Sequence, residues 1–201
     1  MLKMYNTTNL FAFDISLKLI STPLKKTYSY MKNIFHSYLD PKIQAFGWRV
    51  VHGVLLTKYR ILGGRVKIMG DGKCACCARI GRDEDETIEH LLIDCWIARL
   101  IWDRVNTALF RSGLQEIDVQ PEQIVARMGL GRDENYIAAE TAWAIWTIRL
   151  SEELDGERRT WKKGFYRLKS RLNFRQHLDI KLQKRQKWIK MEVFLRNLGV
   201  T

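Results

Sequence analysis

The spacing of apolar residues predicts helices along most of the chain. The clearest case runs from Trp96 to Phe110, where one helical face carries Ala98, Trp102, Val105 and Leu109. Only three prolines occur in 201 residues, and long stretches contain neither proline nor glycine. The pattern therefore predicts an all-α fold of about six or seven helices.

The same periodicity places the other elements. Helices are predicted at Thr27–Tyr38, Lys42–Leu56, Glu122–Met128 and Glu134–Leu150. A further short helix is predicted after Thr57, and a strand and turn at 65–72. The Lys42–Leu56 segment carries two apolar stripes, so we expect it to be buried on most sides.

A long amphipathic helix is predicted from Glu157 onward. Its core face is formed by Trp161, Phe165, Leu168 and Leu172, which recur at helical spacing. We expect a break near Asn173, after which the helix runs on through Leu182 to Leu198.

Charge singles out this C-terminal helix. Thirteen of the 34 Lys and Arg residues lie between Arg158 and Lys190, together with one acid, Asp179. The other 21 basic and 21 acidic residues balance, so the formal net charge of +12 falls in one segment. A localised excess of this kind favours a polyanionic partner, which we expect to be RNA or DNA.

Two kinds of contact are expected from this segment. Charge runs are often simply solvated, and the four apolar residues at helical spacing are most simply core residues, but rings off that stripe can stack on unpaired bases. The candidates for stacking are Tyr166, Phe174 and Trp188. The candidates for phosphate contact are Arg158, Arg159, Lys162, Lys163, Arg167, Lys169, Arg171, Arg175, Lys181, Lys184, Arg185, Lys187 and Lys190.

A membrane span is not expected. The apolar N-terminal stretch is interrupted by Asp14 and Lys18, well short of the roughly 20 apolar residues that a span needs. We expect an intracellular protein of the nucleus or cytoplasm. In that reducing environment clustered cysteines indicate metal binding before disulfides.

All four cysteines lie between Lys73 and Trp96, together with one histidine. Cys74 and Cys77 have the two-residue gap of a metal-binding turn, and His90 and Cys95 follow with a four-residue gap. Three thiolates and an imidazole suit tetrahedral Zn²⁺. Because four protein ligands leave no position open for water, the site is predicted to be structural.

The gap between His90 and Cys95 has a consequence for the backbone. Residues five apart on an α-helix lie about 140° apart around its axis and cannot both face one ion. We therefore expect a short helix over Glu86–Leu92, a break near Asp94 and a new helix from Trp96. Lys73, Arg79 and Arg82 are near enough in sequence to offset the negative charge of the metal cluster. 

Other interpretations of these residues stay open. Buried cysteines often act as small apolar residues, and a Cys-x-x-Cys pair can be a redox site, although that favours a βαβ context not visible here. Cys76 is either a bystander or a substitute for one of the four ligands. The acidic run at 83–86 fits a solvated surface better than a Mg²⁺ site.

These residues together resemble a known family, the zinc-binding domain that follows the polymerase in reverse transcriptases of non-LTR retrotransposons. The resemblance covers Pro41 to Asp103 and implies structural zinc, with a nucleic acid or a reverse transcriptase core as partner. The chain departs from the family pattern in the long acidic stretch before Glu86, in Trp96 where proline is usual, and in the extra Cys76. The matching positions are Phe46, Trp48, Arg49, Leu55, Thr57, Cys74, Cys77, Glu86, Thr87, His90, Leu91, Cys95 and Trp102.

The resemblance implies three regions: an N-terminal helical flank at 1–40, the zinc-binding domain at 41–110 and a C-terminal helical region at 111–201. A Tyr-x-Asp-Asp turn, which polymerisation by such elements uses, does not occur in the sequence. We therefore expect a non-catalytic nucleic-acid-binding module, the C-terminal portion of such an element. The alternatives are a module that docks on an acidic protein or on a reverse transcriptase core, and a decayed retroelement fragment.

Overall fold

The computed structural model describes residues 39–57, 72–119, 133–155, 161–181 and 189–199. The helices predicted at Thr27–Tyr38, after Thr57 and at Glu122–Met128, and nearly all of the predicted strand, lie outside these residues. Within them the chain forms six α-helices and one π-helix, without strands, which confirms the all-α prediction. They are α1 Pro41–Val51, α2 Ala75–Ala78, the π-helix His90–Asp94, α3 Trp96–Arg111, α4 Asp133–Asp155, α5 Trp161–Lys181 and α6 Ile189–Asn197.

Helix α1 is shorter and more exposed than predicted. It begins with Pro41, whose fixed φ suits a first turn, and it ends five residues before Leu56. Gly53 adopts a φ of 61°, and the amide of Val54 donates to the carbonyl of Arg49, which closes the helix in a Schellman motif. Its buried face consists of Ile43, Phe46 and Gly47, so the expectation of burial on most sides is wrong.

Helix α3 follows the prediction. Its expected face, Ala98, Trp102, Val105 and Leu109, is buried. Gly113, with a φ of 65°, ends the helix in the same way as Gly53 ends α1, since the amide of the next residue bonds back to the carbonyl of Leu109.

Helix α4 is the central element. Buried side chains occupy nearly every position from 137 to 149, and it contacts α1, α3, α5 and the π-helix. Four small alanines among them allow neighbouring helices to approach. Gly164 of α5 marks a close approach, because a Cβ there would collide with the side chain of Ile148. Among the described helices, none combines the length and the hydropathy needed to cross a bilayer.

Helix α5 packs on α4 through Phe165, Leu168 and Leu172, as predicted, whereas the side chain of Trp161 lies outside the described set. The expected break near Asn173 is wrong, because the helix continues to Lys181. Asparagine disfavours helix only weakly, and the burial of Leu172 and Gln176 on either side outweighs that preference. 

One core joins the cysteine-containing half to the C-terminal helices. Phe46 of α1 contacts Trp143 and Trp146 of α4, each at 5.5 Å between ring centroids. Asn197 of α6 donates to the hydroxyl of Ser112, just after α3, at 2.9 Å. The C-terminal helices therefore form part of the body that positions the cysteine cluster.

Candidate metal centre

The first two cysteines are held by a short turn. Cys74 precedes α2 with an extended backbone, and its carbonyl accepts the amide of Ala78 at 2.9 Å, which folds the chain back toward Cys77. The loop then returns antiparallel, since the amide of Cys74 donates to the carbonyl of Glu84 and the amide of Glu86 to that of Gly72. We call residues 72–95 the zinc knuckle.

A π-helix places the other two ligands. The amide of Cys95 donates to the carbonyl of His90 at 2.7 Å, the five-residue bond that defines this wider turn. The hydroxyl of Thr87 accepts the amide of His90 and holds its start. At Cys95 the backbone leaves the helical region, and α3 begins at Trp96. The predicted break and the new helix are confirmed. The segment from His90 that precedes the break is a π-helix, however, whereas the prediction assumed α-helical geometry.

The four ligand atoms converge. The Sγ of Cys95 lies 3.8 Å from that of Cys74 and 4.0 Å from that of Cys77, and the Sγ of Cys77 lies 3.4 Å from Nε2 of His90. All four atoms lie within 4.8 Å of one another and all four residues are buried. Zn–S bonds of about 2.3 Å and a Zn–N bond of about 2.0 Å give tetrahedral edges of about 3.8 and 3.5 Å. The donor set therefore fits zinc in both chemistry and size.

The surroundings favour the thiolate form of one ligand. Hydrogen bonds from the thiols of Cys76 and Cys95 lower the pKa of Cys74. Cys76 is itself buried but stands outside the converging set, and its carbonyl accepts the indole N–H of Trp96 at 2.8 Å. Trp96, where the family usually has proline, thus fastens the first turn to α3.

The acidic loop divides into two parts. Asp83 and Asp85 are exposed and pair with Lys73, at 3.4 and 2.9 Å from its Nζ, so this lysine faces the loop acids. Glu86 is only 1% exposed and forms an ion pair with Arg149 of α4, which is also buried. The sequence pattern does not reveal this pair, because its two residues are 63 positions apart. Glu86 stands at the end of an acidic run that was interpreted as surface, and only its place in the family pattern marked it as different.

Residues 17–102 match a family model described as zinc-binding in reverse transcriptase. This part of the chain is similar to that family. No curated protein and no solved structure matches the chain. The family match and the buried Cys3His cluster together support a structural zinc site, and Cys74, Cys77, His90 and Cys95 are the residues that could hold the ion.

The family positions of the zinc-binding domain serve different purposes in the fold. Phe46, Leu55 and Thr57 are buried, and the indole N–H of buried Trp102 donates to the carbonyl of Leu92 at the π-helix. In contrast, Trp48 and Arg49 point outward, and Trp48 is 37% exposed.

The residues predicted to contact nucleic acid separate into three groups. Lys162, Tyr166, Arg167 and Phe174 are exposed on α5, with exposed fractions of 59% for Tyr166 and 66% for Phe174. Lys169, Arg171 and Arg175 are partly buried on the same helix. The described side chains do not include those of Arg158, Arg159, Lys163, Lys181, Lys184, Arg185, Lys187, Trp188 and Lys190.

Arg171 is held by an ion-pair network. Its guanidinium donates to both carboxylate oxygens of fully buried Glu140, at 2.6 and 3.0 Å, and to Asp40 at 3.1 Å. Burial disfavours the charged guanidinium, but its hydrogen bonds to Glu140 outweigh this and raise the pKa of Arg171. Tyr136 donates to Glu140 at 2.8 Å, and Arg175 lies over the Tyr136 ring at 5.9 Å. These two arginines therefore brace α5 against α4.

Proposed function

We propose that this zinc-binding module binds RNA or DNA without catalysing a reaction, and that the exposed face of α5 supplies the main contact. The observation that carries the proposal is that exposed basic side chains and exposed aromatic rings share one side of a helix whose opposite side packs in the core. The zinc knuckle contacts α4, which packs against α5, and in this way the knuckle stabilises the surface.

The exposed residues form a continuous face. Lys162, Tyr166, Arg167 and Phe174 fall within an arc of about 140° on a helix with 3.6 residues per turn, and they extend along about 18 Å. The buried residues Phe165, Leu168 and Leu172 lie on the opposite side. We call this face, defined by those four exposed residues, the α5 face.

Its chemistry suits a single strand of nucleic acid. The sequence from 161 to 178 contains no Asp or Glu, whereas solvated helices commonly mix both signs of charge. Lys and Arg neutralise phosphates with release of counterions, and Tyr166 and Phe174, about 12 Å apart along the axis, offer rings on which unpaired bases can stack. Two large exposed aromatic rings among Lys and Arg side chains are better explained by a partner that stacks on them than by solvation alone.

The non-catalytic part of the proposal rests on coordination. All four zinc ligands come from the protein, so the ion has no open position at which to activate water or polarise a substrate. We infer that zinc acts here by holding the knuckle against α3 and α4.

The test is a salt-titrated binding assay of the zinc-loaded full chain. Fluorescence anisotropy with labelled single-stranded RNA, single-stranded DNA and duplex DNA gives the affinity at each salt concentration. We expect affinity to fall steeply with salt, the slope to drop by about one for Arg167→Glu, and Tyr166→Ala or Phe174→Ala to weaken single-strand binding by about fivefold or more.

A matched control lies at the end of α3. Phe110 is 71% exposed and Arg111 is exposed, so Phe110→Ala and Arg111→Glu repeat the same changes outside the α5 face. We expect little change from either. A salt-independent affinity, or equal losses from α5 and control variants, would overturn the proposal, and saturable binding of a reverse transcriptase core would favour protein docking instead.

A further inference from the structure

A second basic stretch lies in the zinc-binding domain. Outside Arg158–Lys190 the basic and acidic residues balance as a whole, but the balance is an average. From 41 to 70 the sequence has six Lys or Arg and no Asp or Glu, whereas acids concentrate in the loop at 83–86. A basic stretch of this length without acids is the electrostatic footprint expected of a polyanion contact.

Helix α1 presents part of this stretch to solvent. Lys42, Trp48, Arg49 and His52 are exposed and fall within an arc of about 120°. The opposite side carries the buried Ile43, Phe46 and Gly47. We call the exposed set of four residues the α1 face.

Trp48 is the distinctive member of the α1 face. Its indole is 37% exposed and lies against the ring of His52, with 4.6 Å between centroids. The contact holds a large aromatic surface in place beside a cationic neighbour, Arg49. An indole that is positioned and still accessible can stack on a base at a small cost in side-chain entropy.

The start of α1 lies next to α5. Asp40, the residue that precedes α1, accepts a hydrogen bond from Arg171 in the middle of α5. Lys42 is exposed two residues further on, while Arg167 is exposed one turn before Arg171. The start of α1 therefore stands beside the α5 face, and a strand that leaves one can reach the other.

We propose that the α1 face is a second contact for the single-stranded nucleic acid bound by α5, with Trp48 stacked on an unpaired base and with Lys42 and Arg49 on phosphates. The proposal rests on the function proposed above, and extends the interface onto the zinc-binding domain itself. Its charge, its exposed ring and its position select a single strand, because a paired base offers no free face to the indole.

The control pair has a different setting. Phe110 and Arg111 also place an aromatic ring and a basic side chain at the surface. Exposed Glu116 and Asp118, however, follow in the connector. Mixed charge makes that site a poor polyanion contact, so it separates the α1 face from a general effect of exposed aromatic and basic residues.

The experiment compares Trp48→Ala, Arg49→Glu and Lys42→Glu with Phe110→Ala and Arg111→Glu in the zinc-loaded full chain. We expect Trp48→Ala to weaken single-strand binding by about fivefold to 100-fold and leave duplex binding nearly unchanged. Arg49→Glu is expected to lower the salt slope by about one. Zinc stoichiometry and thermal melting show whether each variant is folded.

Photocrosslinking gives a readout that depends on position. An oligonucleotide of 5-iodouridine is irradiated with the protein, and the attached peptides are identified by mass spectrometry. We expect crosslinks at Trp48 as well as at Tyr166 or Phe174. The second contact alone is overturned if the folded α1-face variants keep wild-type affinity and Trp48 gives no crosslink, while the α5-face variants are weakened. Salt-independent binding, unaffected by either set, overturns the proposed function too.

Discussion

The zinc knuckle and helix α5 are both rich in polar side chains, but they hold them in different ways. In the knuckle the chemically active groups are buried and point at one another, and the distances between them match the edges of one tetrahedron. On α5 arginines one turn apart have different environments: Arg171 is bound to buried Glu140, whereas Arg167 is exposed. Charge alone does not tell which arginine stabilises the fold and which is available to a partner.

The two regions are nevertheless joined through α4. Glu86 of the knuckle pairs with Arg149, and Glu140, about two and a half turns earlier on the same helix, holds Arg171. The family match ends at residue 102, yet Phe46 within it packs against Trp143 and Trp146 beyond it. The zinc-binding domain therefore completes its core with helices that follow the matched segment.

Removal of the metal should have the largest effect. Zinc contributes about 10–16 kcal/mol to the folding of zinc-finger peptides, and the knuckle likewise lacks strands or a core of its own in the part that the structure describes. We expect Cys95→Ser, or a strong chelator, to abolish zinc binding and to lower the melting temperature sharply. Elemental analysis and circular dichroism measure the two effects.

Cys76→Ser is the matched control, since that thiol is buried but stands outside the ligand set. We expect it to retain one zinc per chain. Melting that is indifferent to the chelator, or loss of zinc from the Cys76 variant, would contradict this assignment.

The buried pair between knuckle and α4 comes next in size. Glu86→Gln leaves the guanidinium of Arg149 without its charged partner, and we expect a loss of about 3–5 kcal/mol in the free energy of unfolding. A double variant, Glu86→Gln with Arg149→Met, should recover part of it because no buried charge remains. Denaturant unfolding of the zinc-loaded protein provides the measurement.

Asp94 and Arg99 offer an exposed pair for comparison, at 3.0 Å. We expect Arg99→Ala to change the free energy of unfolding by less than about 1 kcal/mol. Equal losses at both pairs would show that burial does not set their difference.

The smallest expected effect separates Arg167 from Arg171 on α5. Arg171→Ala leaves buried Glu140 without its cation, and we expect a loss of about 2–3 kcal/mol in stability. Arg167→Ala should stay within about 0.5 kcal/mol of the wild type in unfolding and yet weaken nucleic-acid binding. Opposite rankings in the two assays would support the division of α5 into a bracing and a binding side, whereas parallel losses would remove it.

Much of the fold could be predicted from local pattern. The periodicity of α3 and α5 gave their buried faces correctly, because the apolar residues of each helix recur at helical spacing along a single stripe. For α1 the periodicity gave a wrong prediction, because a second apolar stripe suggested burial on most sides. In the structure Gly53 ends the helix and Trp48 faces outward. It also placed a break at Asn173, where packing on both sides of the residue keeps the helix intact.

By itself the sequence determined the residues of the cysteine–histidine cluster and the helical class of the fold. Coordination requires particular atoms at particular separations, and the ligands lie close enough along the chain for their spacing to reveal the site. The tertiary structure alone decided that Glu86 is buried, that Arg171 braces the core and that Trp48 is exposed. Those environments depend on partners far away in sequence, such as Asp40 and Arg171, which are 131 positions apart. Only the packing of α4 against the rest of the chain brings such partners together.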